Sequence, residues 1–216
     1  MTPEPAAPPA ERDPPRFPEV PMTEKSVVLR DGRHVMIRAI RSDDSDRSFA
    51  FFSELPEEDR RYLRVDVTKR EVVEARARDV DAGRVLRLVA VAGDQIIADG
   101  SLELAGHGWG ENIAELRLIV ARPYQRLGMG TLLARELFFV AAERKVDRVV
   151  ARVMRPQEGA RQILRRLGFK DEFLIPEHVR DRSGNWQDLI IMRCNLEDLW
   201  VEMEGLLEGS DLQWHR

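Results

Sequence analysis

Gln125-Arg126-Leu127-Gly128-Met129-Gly130-Thr131 decides the reading of this chain. The heptapeptide follows a strand-like apolar run, Ile113 to Val120, and opens a long stretch of strong helix formers, Gly130 to Lys145. Gly128 and Gly130 let the backbone come close to a ligand. The first turn of a helix offers amide N–H groups with no partner inside the helix, and the helix dipole adds positive potential there. A pyrophosphate fits that arrangement. Arg122 and Arg126 can add charge, and Thr131 a hydroxyl. Two standard phosphate motifs are excluded. A P-loop ends in Gly-Lys-Ser/Thr, whereas Gly130 is followed by Thr131 and Leu132. The dinucleotide fingerprint needs three glycines and an acidic residue about 20 positions on. By itself the Gly-x-Gly turn reads equally well as a structural tight turn.

Outward from this loop the chain alternates strand-like and helix-like pieces. Val27–Leu29 and Val35–Ala39 flank Asp31-Gly32, a hairpin signal. Ser42 is a candidate N-cap for a helix carrying Phe49, Phe52 and Leu55. Pro56 breaks the pattern, and a charged stretch, helical in pieces, runs to Val80. Val85–Ala92 and Ile96–Leu104 form a second hairpin around Gly93-Asp94, followed by a loop at 106–110. Arg148–Met154 reads as a strand, and Glu158–Leu167 as a short helix stopped by Gly168. Phe173–Arg180 and Trp186–Arg193 form a last hairpin around Ser183-Gly184-Asn185. Leu196, Leu199, Trp200, Met203 and Leu207 line one face of a terminal helix, which covers the sheet end or meets a second copy. This order predicts an α+β fold with a mostly antiparallel sheet.

Of the 216 residues 43% are hydrophobic and 33% charged, which describes a globular chain. Lys plus Arg is 34 and Asp plus Glu 38, for a net charge of -4, which gives no global attraction to nucleic acid or anionic membrane. No apolar run approaches the length of a membrane span, and the first residues lack a signal-peptide core. One cysteine, Cys194, cannot form an internal disulfide, so a cytoplasmic setting is expected. Eight of the twelve prolines lie within residues 1–21. Residues 1–24 are therefore expected to be an extended tail, 25–194 the folded domain, and 195–216 an amphipathic helix and tail.

With the strand, loop and helix in this order, the sequence resembles the GNAT superfamily of acyl-CoA-dependent N-acyltransferases. The superfamily's pyrophosphate loop runs Gln/Arg-x-x-Gly-x-Gly/Ala, which Gln125 or Arg126 through Gly130 matches. Its second signature runs Asn-x-x-Ala-x-x-Leu-Tyr-x-x-x-Gly-Phe. The counterpart here, Gln157 to Phe169, keeps Ala160, Gly168 and Phe169, with Gln157 for Asn and Leu164 for Tyr. The Tyr is a frequent general acid in the superfamily, so its loss leaves the acid unassigned. The resemblance spans residues 27–193. At a finer level the sequence resembles the catalytic domain of Pat-type bacterial protein lysine acetyltransferases. Leu29-Arg30-Asp31-Gly32-Arg33, Phe51-Phe52, Leu55 to Glu58 and Tyr62-Leu63-Arg64 carry that likeness.

The resemblance implies a GNAT fold with a central strand–loop–helix site for acetyl-CoA as acyl donor. Gln125, Arg126, Leu127, Gly128, Met129, Gly130 and Thr131 would hold the pyrophosphate, and the backbone of Leu118, Ile119 and Val120 the pantetheine arm. An N–H near Leu118 or Ile119 would polarise the thioester carbonyl. An attacking lysine must be neutral, which at its ordinary pKa of about 10.4 costs roughly 4 kcal/mol at pH 7. A carboxylate base offsets part of this. Glu115 is the candidate, and Pat-type enzymes resemble this chain in having a Glu there. Alternation places Glu115, Arg117 and Ile119 on one face of the strand. The alternative is a surface Glu115–Arg117 ion pair. Glu103 and Asp99 are the next candidates.

Other residues take plainer readings. The four histidines show no metal-site spacing, and no metal is expected. Cys194 reads as a quiet thiol. Trp109 reads as an acceptor contact or as an anchor on the sheet. Arg60, Arg61 and Arg64 read as a solvated helical face or as the border of an anionic ligand. Three functions remain. One is a protein lysine acetyltransferase acting on a metabolic enzyme, as Pat-type relatives do. The others are a small-amine acetyltransferase and a non-catalytic acyl-CoA sensor.

Overall fold

The computed structural model describes residues 24–81, 85–106, 108–144 and 146–198. The proline-rich tail, His107, His215 and the terminal helix positions from Leu199 onward lie outside the described residues. Eight strands form one sheet: β1 (Lys25–Val28), β2 (His34–Ala39), β3 (Val85–Ala92), β4 (Gln95–Leu104), β5 (Ile113–Val120), β6 (Arg148–Met154), β7 (Lys170–Arg180) and β8 (Trp186–Asn195). Their spatial order is β1-β2-β3-β4-β5-β6-β8-β7. Among the described residues only β5 and β6 pair in parallel. The helices are α1 (Ser45–Glu54), α2 (Glu57–Arg60), α3 (Arg70–Asp81), α4 (Met129–Glu143) and α5 (Glu158–Arg166).

The three predicted hairpins form β1–β2, β3–β4 and β7–β8, where the turn signals left the chain no other short connection. The parallel step from β5 to β6 needs a crossover, and α4 supplies it. Pro176 lies within β7, which stands at the sheet edge, where a missing ladder donor is tolerated.

Alternation along β5 divides the sheet into two unlike faces. Ala114 and Leu116 face α4, whose Met129, Leu133, Ala134, Leu137 and Phe138 are fully buried in the larger core. Gly100 on β4 sets the approach of α4. A Cβ there would lie 2.9 Å from Leu137 Cδ1 and 3.1 Å from Leu133 Cγ. The opposite face is covered over β3 and β4 by Phe51, Phe52, Leu55, Val67 and Val73, packed on Val89, Val91 and Ile96. Toward β5 and β6 that face carries charged side chains instead.

Ser42 does not cap α1. Residues Ser42–Asp44 form a 3₁₀ turn, and α1 starts at Ser45. Asp44, fully buried, organises the turn: it accepts from Arg38 Nη1 at 2.5 Å, Arg38 Nη2 at 2.8 Å and the Arg41 N–H at 2.8 Å. A buried bidentate carboxylate outcompetes a surface hydroxyl for the chain entry.

Several carboxyls are held below their ordinary range. Burial would raise Asp44, but hydrogen bonds from Arg38 and the Arg41 N–H outweigh it. The Thr68 hydroxyl and Arg182 pull Asp66 down to about 2. A carboxyl depressed on folding contributes stability above its unfolded pKa of about 4, and that contribution is lost as pH falls through the folded value. The urea midpoint is therefore expected to be flat from pH 7 to about 5 and to fall between about pH 4 and 2. A midpoint unchanged at pH 3 would contradict this account.

Candidate active site

β5 and β6 hydrogen-bond only over Ile113–Glu115 and Arg148–Val150. Beyond Glu115 the two strands separate, while β5 stays paired to β4 as far as Val120. The N–H of Ala105 donates to the Ile113 carbonyl, and that of Ala121 to the Ile97 carbonyl. These bonds set the phase: odd-numbered residues of β5 address β4, and even-numbered ones the opening. Leu118 and Val120 thus present backbone polar groups to the gap. Ile119 does not, so its N–H is removed as an oxyanion donor and its side chain packs against the Phe51–Phe52 cluster. The two lips of the gap are finished by glutamines. Gln125 Nε2 donates to the Val120 carbonyl at 2.8 Å, and Gln157 Oε1 accepts from the Met154 N–H at 2.8 Å. Strand ends that lose their ladder need such partners. Gln125 is therefore a brace of the gap rather than a side chain free for phosphate.

The loop at the mouth of the gap has two left-handed residues, Arg126 (φ 61°) and Gly128 (φ 91°). No side chain caps the N-terminus of α4, and the first internal bond runs from the Leu132 N–H to the Gly128 carbonyl. The amides of Met129, Gly130 and Thr131 are left for an anion, so the residues present fit a diphosphate. Gly130 lies on β5: a Cβ there would sit 3.5 Å from Leu118 Cδ2 and 3.7 Å from Val120 Cγ2, ordinary contacts. Gly130→Ala is therefore expected to fold without loss. At Gly128 a Cβ would meet open space, but the left-handed backbone remains. Gly128→Ala is expected to lose about 1–2 kcal/mol. Thermal unfolding of both variants checks the contrast, and equal melting temperatures would contradict it.

The β1–β2 hairpin braces this loop, a role the sequence reading did not assign. The Arg30 N–H reaches the Leu127 carbonyl at 3.3 Å. Arg33 Nη2 donates to the Pro123 carbonyl at 2.7 Å, and its guanidinium lies 4.1 Å from the Tyr124 ring centre. Asp31 aims Arg33 through a 2.6 Å ion pair. Arg122 pairs with Glu58 at 2.6 Å and with Asp59 at 2.9 Å.

Glu115 stands where the ladder closes, at the floor of the gap. From Val120 to Glu115 is five strand residues, about 17 Å. Glu115 is buried, so the ion pair it forms with Arg117 lies below the surface. Its carboxylate accepts from Arg64 Nη2 at 2.9 Å and from Arg152, and Arg117 Nε lies 3.8 Å away. Burial holds Arg64 below the ordinary arginine range. Glu103 lies opposite on β4 and binds Arg117 at 2.5 Å. Asp99 sits beside Ile119 with Arg76 at 3.1 Å and Arg87 at 3.8 Å.

Each arginine of the basic run has a protein partner. Arg60 donates to the Ser53 carbonyl, Arg61 pairs with Asp181 at 3.1 Å, and Arg64 reaches Glu115. The Arg182 N–H donates to the Arg61 carbonyl, and Arg182 pairs with Asp66 at 2.7 Å. Residues 61–66 thus strap α2 to the β7–β8 turn, across the charged face. Only the fold brings these distant residues together.

Trp109 is fully exposed, which excludes an anchor on the sheet. Leu164 is buried in the core and offers no acid to the gap. Cys194 is buried, with its thiol 3.8 Å from the Leu167 carbonyl. Among the described residues no group of three His, Cys, Asp or Glu side chains could hold a metal ion, and no helix is long and apolar enough to cross a membrane.

The profile of the acetyltransferase (GNAT) family matches residues 44–169. No curated protein matches the chain by sequence. Among solved structures, the GNAT domain of S. lividans PAT is 22% identical with a TM-score of 0.67, over 80% of this chain and 96% of that one. Mycobacterium smegmatis RimJ in complex with CoA-disulfide is 16% identical with a TM-score of 0.67, over 85% and 93%. A ribosomal-protein-alanine N-acetyltransferase from Brucella melitensis is 24% identical with a TM-score of 0.60, over 74% and 98%. The eight-stranded mixed sheet of the described residues, opened between the parallel strands β5 and β6 beside an uncapped helix, is the GNAT fold, and this chain belongs to the acetyltransferase (GNAT) family.

Proposed function

We propose that this chain transfers the acetyl group of acetyl-CoA directly to an amine, with a protein lysine as acceptor and Glu115 as base. One observation carries the reading. The anion-ready amides of residues 129–131, the open edge of β5 and the Glu115 carboxylate lie in sequence along one gap. The diphosphate lies on the helix amides, and the pantetheine arm extends β5 through the polar groups of Leu118. The Leu118 N–H polarises the thioester carbonyl. The amine nitrogen bonds to the carbonyl carbon, its proton passes to Glu115, and the C–S bond breaks to release thiolate. Leu164 donates no proton, and a thiol of pKa near 8.5 leaves as the anion.

The acceptor assignment rests on the Pat-type likeness of residues 29–64 and on the exposure of the arginines around Glu115, which leaves that side open. Incubation with labelled acetyl-CoA and a cell lysate tests the reading. Label is expected in protein, and label only in small molecules would transfer the assignment to the small-amine alternative. Titration with coenzyme A is expected to release or absorb heat at micromolar levels. No heat far above that range would remove the acyl-transfer account.

A further inference from the structure

The charged face of the sheet carries more cation than anion. Arg64, Arg76, Arg87, Arg117 and Arg152 are linked to Asp99, Glu103 and Glu115: among the described residues, five guanidinium groups to three carboxylates. Arg76 and Arg87 are deep, with side chains 19% and 6% exposed, and share Asp99. Arg64, Arg117 and Arg152 stand at the rim, 45%, 37% and 40% exposed, and share Glu115 and Glu103. The donors also exceed the acceptors. Arg76, Arg87 and Arg117 each keep a buried Nε–H without a hydrogen-bond partner, and among the described residues of the cluster Asp99 Oδ2 is the one buried acceptor in that position. Donors left over in this number suit a further oxyanion, which a guanidinium binds through paired N–H groups.

We infer that the acceptor presents its amine to Glu115 next to a carboxylate of its own, received by Arg64, Arg117 and Arg152. This rests on the proposed role of Glu115, because the same arginines hold that carboxylate in place. A wholly cationic acceptor, such as a polyamine or a lysine in a basic stretch, adds positive charge to a cluster already in excess, and repulsion opposes its approach. A lysine between aspartates or glutamates brings the missing anion. Planar guanidinium groups suit a carboxylate through paired N–H donors. A free amino acid carries the same chemistry, an amine beside a carboxylate, and is distinguished below.

The test uses the full chain, acetyl-CoA and five acceptors. Three are N-terminally blocked peptides with one lysine flanked by aspartates, asparagines or arginines; the others are free glutamate and spermidine. The aspartate peptide is expected to exceed the asparagine peptide in kcat/KM by at least about tenfold, with the arginine peptide and spermidine lower still. Activity on glutamate above the asparagine peptide would assign the same chemistry to a free amino acid. Added salt is expected to raise KM for the acidic acceptor. Arg152→Gln is expected to shrink the aspartate-to-asparagine ratio mainly through KM, and Arg152→Lys to restore part of it. Arg117→Gln serves where Arg152→Gln does not fold. A wild-type ratio of one or less, or a ratio untouched in both variants, overturns the inference. So does coenzyme binding with no transfer to any of the five. Failure to bind coenzyme at all overturns the acetyl-transfer reading instead.

Discussion

Turnover of a Glu115→Gln variant is expected to fall at least about 10²-fold, equivalent to about 2.7 kcal/mol in the barrier, with coenzyme affinity unchanged. The amide keeps the size of the carboxylate, and its oxygen can still accept from Arg64 or Arg152. It cannot take the proton that the attacking amine must lose. Alternation along β5 puts the Glu115 side chain on the face opposite Ala114 and Leu116, which pack with α4, so the diphosphate site should keep its shape. Single-turnover rates and coenzyme titration, measured on the same preparation, separate the possibilities. Equal turnover in variant and wild type would take Glu115 out of the chemistry. A parallel loss of coenzyme affinity would make its role structural, through the three arginines it orders.

An Asp44→Ala variant is expected to lose about 3–5 kcal/mol of stability, because it strands the buried Arg38 guanidinium. For a domain of this size that is a fall of roughly 10 °C in melting temperature. Asp44 has no exposed surface, and Arg38 is nearly as deep, so water cannot replace the lost partner. The Arg41 N–H that enters the 3₁₀ turn loses its acceptor as well. Replacing both residues by apolar ones of similar volume is expected to recover part of the loss, since the cost lies in the orphaned charge. A melting temperature within about 2 °C of wild type for Asp44→Ala would contradict the assignment.

The strand and helix pattern was legible because it is written locally. Turn residues at 31–32, 93–94 and 183–185 punctuate apolar runs, and hairpins need no distant information. The bend at 125–131 was legible because its glycines stand between an apolar run and a stretch of strong helix formers. Ser42 misled because its competitor, Asp44, wins through a buried pair with Arg38 six residues earlier, and the sequence pattern does not show that this pair is buried. Arg61 and Arg64 misled for another reason: their partners, Asp181 and Glu115, become neighbours only in the folded chain.

The sequence by itself determined the two hydrophobic periods, the turns between them and the amide-rich bend ahead of α4, since each depends on residues within a few positions of one another. Tertiary structure alone decided where β5 and β6 part, which backbone groups of Leu118 face that opening, and how many arginines crowd Glu115. The reason is range. Strand phase and charge balance are set by pairings across the sheet, between residues 37 and 51 positions apart in the chain at Glu115.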